Sequence, residues 1–121
     1  MENIDIELYK TRPEIIRQTV LQVVKDFSMF GIDVSFTGNT EMAYNELFFQ
    51  LSNHIQRLLE NDFGKLSALL YQVDISERKI FDSIADHPEY THAEVLTELV
   101  IHRELKKVLI RNYFKNQKSG Q

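Results

Sequence analysis

The sequence predicts an all-α fold, an antiparallel up-down bundle of four main helices with the third broken near Asp74. Three observations predict it. Ile16, Val20, Val23, Phe27 and Phe30 follow steps of four, three, four and three, and Tyr44, Phe48, Leu51, Ile55 and Leu58 repeat those steps. Apolar residues so spaced share one face of a helix. The 121 residues include only four glycines and two prolines, which suits long helices and few turns. Connections between most of the periodic segments are short, which favours antiparallel neighbours.

A chain of this length is most simply a single domain, residues 1–121. Residues 1–10 form a polar lead-in carrying Ile4, Ile6 and Leu8. Thr11-Arg-Pro-Glu14 reads as the first helix start: Thr11 caps, Glu14 reaches back, and Pro13 costs little where N–H groups lack helical partners. The helix runs to about Phe30, and Gly31 ends it through a left-handed conformation. Ile32 to Gly38 alternates apolar and polar residues, as a strand does. One such segment makes no sheet alone, so it reads as an extended connector covering the bundle's edge. The alternative is a short strand paired with residues 3–8 or with a second subunit.

Asn39 or Thr40 caps the second helix, which extends to about Glu60. After Asn61-Asp62, the residues Phe63, Leu66, Leu69, Leu70 and Val73 form a third apolar series. Asp74-Ile-Ser-Glu77 offers a second cap-and-glutamate pattern, opening a brief helix to about Ala85 with Ile80, Phe81 and Ile84 inward. Pro88 places a loop at residues 86–90, and Thr91-His-Ala-Glu94 is a third such pattern. The last helix then runs to about Asn116, with Val95, Leu99, Leu109, Ile110 and Tyr113 inward and Leu96 and Leu105 flanking. Residues 117–121 are a frayed tail. Val100 and Ile101 widen the apolar surface of that helix, which suits a central helix or a partner interface; Phe49 lies towards the edge of its own helix's apolar face.

The absence of cysteine excludes disulfides, thiolate catalysis and cysteine-bound zinc. The acidic start lacks the features of a signal peptide, and no apolar run approaches the ~20 residues of a membrane span. A cytoplasmic protein without membrane association is the expectation. The net charge of −4 is unevenly spread: in residues 101–121 six cations stand against Glu104 alone, a local +5 that leaves the remainder at −9.

Four of those cations, Arg103, Lys107, Arg111 and Lys115, recur every four residues and make one stripe along the last helix. Such a stripe binds an acidic protein partner or phosphates, with Tyr113 and Phe114 near enough to stack. It also has a structural role to fill, since cations favour a helix C-terminus and the remainder of the chain is acidic. The metal candidates are His87, Glu89 and His92. Glu89 and His92 have the Glu-x-x-His spacing of di-iron bundles, but in a single copy that straddles a helix start. His54 and His102 read as core-edge residues bonded to neighbours, and Glu77, Asp82 and Asp86 as an acidic solvated face. No catalytic residue or cofactor is implied.

The block Leu69-Leu-Tyr-Gln-Val-Asp-Ile-Ser-Glu77 resembles a Leu-Leu-Tyr-x-(Ile/Val)-Asp-(Ile/Val)-x-Glu core shared by a group of short uncharacterised bacterial all-α proteins. Leu99-Val-Ile-His-Arg-Glu-Leu105 resembles their C-terminal helix, so the likeness covers about residues 44–114. It implies a turn at Asp74 and no activity. The functional expectation is a non-catalytic protein-interaction module that binds another protein or a second copy of itself (a homodimer) through the basic row; the alternative is a nucleic-acid-associated protein placing that row on phosphates, and the third reading is a small metal-dependent enzyme.

Overall fold

The computed structural model describes residues 12–119, with side chains as far as residue 116. Among the described residues the fold is all-α, with five helices, α1 (Pro13–Ser28), α2 (Ala43–Asn61), α3 (Phe63–Val73), α4 (Glu77–Asp86) and α5 (His92–Ser119), and one 3-10 turn at Thr40–Met42 before α2. The predicted broken third helix is the pair α3 and α4. The lead-in and Thr11 lie outside the described residues. The N-cap of α1 is Arg12, which makes no side-chain cap bond. Helix α5 continues to Ser119, past the predicted end near Asn116 and into the predicted tail.

Helix α5 is the spine, packed on each of the other four helices. That explains its apolar residues on more than one side: Val100 is fully buried and Ile101 nearly so, both inside the main core. This core joins Val20, Val23 and Phe27 of α1, Leu47, Leu51 and Ile55 of α2, Leu66, Leu69 and Val73 of α3, and Leu96 of α5. A second, smaller cluster of Ile15, Leu105, Val108 and Leu109 ties the start of α1 to the later half of α5. The inward face of α5 is rotated from the predicted one. Thr97 and Glu104 are fully buried, Leu99 and Ile110 only half-buried, and Tyr113 exposed. The rotation follows from α5's several neighbours, which compete for its apolar sides.

Local signals explain the breaks. Asp74 ends α3 in the left-handed conformation at φ 73°, and Ser76 rather than Asp74 caps α4, accepting from the Lys79 N–H at 3.1 Å. Asp62 is the single residue between α2 and α3 and caps the latter by accepting from the Lys65 N–H at 3.1 Å. Thr91 and Glu94 form the predicted reciprocal box: the Thr91 N–H donates to Glu94 Oε1 at 2.8 Å, and the Glu94 N–H to Thr91 Oγ1 at 3.1 Å. Phe63 and Phe81, expected inward, are 65% and 75% exposed. Each sits in the first turn or two of a short helix, on the side away from its neighbours.

Residues 32–38 form no strand, and Ile32 and Val34 are buried against the bundle as the connector reading expected. Side chains of α2 take the place of a neighbouring strand. Gln50 accepts from the Ser35 N–H at 2.9 Å and donates to the Ser35 carbonyl at 2.8 Å, while Glu46 accepts from the Thr37 N–H at 3.0 Å. The Thr37 hydroxyl, donating to Glu46 Oε2 at 2.6 Å, and the Thr37 N–H hold the Glu46 carboxyl below its ordinary pKa.

Candidate functional site

The predicted basic row lies along α5, and Arg103, Lys107 and Arg111 bond to residues of other elements. Helices α1 and α5 run antiparallel there, since Asp26, Gln22 and Gln18 meet Lys107, Arg111 and Asn112 in turn. Arg103 reaches the α3–α4 turn, donating to the Asp74 carbonyl at 3.0 Å and its carboxylate at 2.8 Å. Lys107 donates to Asp26 Oδ2 at 3.0 Å. Arg111 donates to Gln22 Oε1 at 3.0 Å. Lys115 lines a groove beside them. The inner half of the row therefore serves as the intramolecular pairing that the acidic remainder of the chain invites.

Lys107 belongs to a buried charge cluster. Asp26 is 2% exposed and Glu104 is fully buried. Lys107 Nζ also lies 2.5 Å from Glu104 Oε1, outside hydrogen-bonding geometry. Burial raises the Glu104 pKa to about 8, and the neighbouring Asp26 carboxyl adds to the rise against the opposing pull of Lys107. At Asp26 burial also pushes upward, but the neighbouring Glu104 carboxyl and the bonds from Lys107 and Gln22 outweigh it and hold the group below its ordinary value. The two neighbouring carboxyls are thus driven apart, Glu104 towards its neutral form and Asp26 towards its charged form, with Lys107 balancing the Asp26 charge. Glu104 stood in the sequence only as the lone acid among C-terminal cations; its burial was signalled by its position four residues after Val100 and four before Val108, on one helix face.

A cleft of about 500 Å³ opens between α2, α4 and α5, with Tyr44, Phe48, His87, Tyr90, Glu98 and His102 in its walls. The Tyr44 and Phe48 rings stack at 5.8 Å between centroids. The Tyr44 hydroxyl donates to the Glu98 carboxylate, and burial together with that bond raises the Tyr44 pKa above its ordinary value. His102 is thus exposed at a cleft wall rather than at the core edge. His54 is half-buried, and its pKa is lowered by burial and by the Arg57 charge, with Asp33 opposing.

The metal candidates do not converge. His87 Nδ1 lies 3.9 Å from Glu89 Oε1, and His92 begins α5. No group of three His, Asp or Glu placed to hold a metal ion occurs among the described residues. Glu77, Asp82 and Asp86 are all exposed, with Asp82 3.9 Å from Arg78. Tyr113 and Phe114 pack edge to face on each other at 5.5 Å.

Sequence reasoning missed one surface. Outward on α3 stand Phe63, Gly64, Ser67, Ala68, Tyr71 and Gln72, all exposed and none charged. The outward residues of α1 include Glu14, Arg17 and Lys25, and those of α4 include Glu77, Arg78 and Asp82. The signal was present: α3 carries Lys65 as its only charge. No described helix is long and apolar enough to cross a membrane. No family model, curated protein or solved structure matches the chain.

Proposed function

We propose that this chain is a cytoplasmic, non-catalytic helical module that binds another protein, with a second copy of itself included among the partners to be tested. The observation that supports the reading is the uncharged outward face of α3, bounded by Phe63 at 65% and Tyr71 at 86% exposure. Interface centres are depleted of charge and enriched in aromatic residues, whereas solvated helix faces carry charge. On this reading the basic row divides: Arg103 and Lys107 hold α5 to the α3–α4 turn and to α1, and Arg111 and Lys115 lie exposed further along the α1–α5 seam. The resemblance to short bacterial all-α proteins fits the fold and adds no activity.

The test is affinity capture from native cytosol with and without nuclease, repeated with the double variant Phe63→Ser/Tyr71→Ser, alongside light scattering of the purified protein. A stoichiometric partner or dimer that survives nuclease and is lost in the double variant supports the reading. Capture abolished by nuclease, or unchanged in the double variant, overturns it.

A further inference from the structure

We propose that the groove between α1 and the later half of α5 is a binding site for a phosphoryl group. The groove encloses about 410 Å³, within the range of small-ligand sites. Lys25 from α1 and Arg111 and Lys115 from α5 line it, Gln18, Gln22 and Asn112 contribute amides, and among the described residues no carboxylate lines it. In a chain of net charge −4, Lys25 and Arg111 face one depression from two helices and give it a local field that an anion neutralises.

The adjoining acids are occupied elsewhere. Asp26 turns to Lys107 and accepts from Gln22 Nε2 at 3.2 Å. Glu14 accepts from Gln18 Nε2 at 3.1 Å and lies outside the groove. These bonds also fix the amides. Gln22 is held at its nitrogen by Asp26, so its oxygen faces Arg111. Gln18 is held at its nitrogen by Glu14, so its oxygen accepts from Asn112 Nδ2 at 2.7 Å. Arg111 is thereby oriented through one Nη, and its remaining N–H donors suit the paired oxygens of a phosphate. Lys25 forms no ion pair among the described residues and supplies a second charge from the facing helix.

The experiment is a titration of the isotopically labelled full chain with sodium pyrophosphate, at ionic strength matched with sodium chloride, read by the amide and arginine signals of the protein. Saturable shifts should appear at Arg111, Gln22 and Asn112, and Lys25→Ala and Arg111→Gln should each weaken binding by about tenfold. Lys65→Ala, on α3, should leave it unchanged. A parallel titration with a single-stranded oligonucleotide separates a free phosphorylated ligand from a nucleic-acid backbone: binding of both supports a site for the shared group. The proposal is overturned by the absence of saturable shifts, by equal weakening in Lys65→Ala, or by oligonucleotide binding without pyrophosphate binding. Lys25 is exposed and makes no side-chain bond that folding needs, so Lys25→Ala carries the test if Arg111→Gln loses its fold.

Discussion

The two halves of α5 are held by different physics. From Ala93 to Ile101 the helix contributes Leu96, Val100 and Ile101 to a core shared with α1, α2 and α3. From Arg103 to Asn112 it meets α1 through a small apolar cluster and a ladder of charged and amide bonds. The first half is stabilised by burial that any apolar residue of similar volume would give. The second depends on matched partners, because a buried carboxylate or ammonium left alone loses its hydration without compensation. One helix thus carries a tolerant segment and an exacting one.

The largest expected effect tests the tolerant half. Phe27 is fully buried against it, and Phe27→Ala should lose about 3–5 kcal/mol in a denaturant titration, whereas Val100→Ile should cost little beyond ~1–3 kcal/mol of overpacking. In the exacting half, Lys107→Met removes the cation that, among the described residues, faces the Asp26 and Glu104 carboxyls, and should cost about 3 kcal/mol, despite preserving side-chain length. A milder loss would show that the two carboxyls stabilise each other without it.

Stability against pH sharpens the same contrast. The folded pKa of Glu104, about 8, stands above its ordinary 4.5. Across that window the unfolded chain releases a proton that the folded chain keeps. The Glu104 contribution is therefore full below the ordinary value and is lost as pH rises towards 8, by at most about 1.4 kcal/mol per pH unit. Asp26 acts in the opposite sense: with its folded pKa depressed, its contribution is present above the ordinary carboxylate range and lost on acidification. Chemical denaturation between pH 4 and 9 should show this alkaline fall, and Glu104→Gln should flatten it; a fall that persists in the variant assigns it to another group.

Smaller effects lie at the edges. Thr91→Ala removes half of the capping box and should cost about 1 kcal/mol, visible as a lowered Tm. Tyr71→Ser should change stability by less than about 0.5 kcal/mol while weakening partner binding, since the ring is 86% exposed. A large loss of stability there would mean that the α3 face already has an intramolecular role.

Much of the fold was legible in the sequence. Val20, Val23 and Phe27 of α1 and Leu51 and Ile55 of α2 are buried as their spacing required, because each helix presents one face to one core. The Thr91 box and the break at Asp74 were legible because their causes are local. The inward face of α5 was not, because a helix with neighbours on several sides has no single apolar direction to read. The place of Glu104 between Val100 and Val108 signalled its burial, but the groups that permit it include Asp26, 78 positions away in the chain. The basic row was legible as a row, but its partners depend on which helix lies opposite. The connector shows the same limit, since alternation predicts an extended backbone and does not reveal that Gln50 bonds it.

The position of α5 as the spine has a consequence for how the chain is made. It is the last of the five helices to be synthesised, yet the other four all pack on it. At a translation rate of about 5–20 residues per second, its 28 residues take on the order of seconds to appear. Throughout that interval Phe27, Leu51 and Leu69 have no finished core to enter. A chain that stops before residue 92 therefore leaves the apolar faces of α1, α2 and α3 uncovered, the kind of surface that drives aggregation.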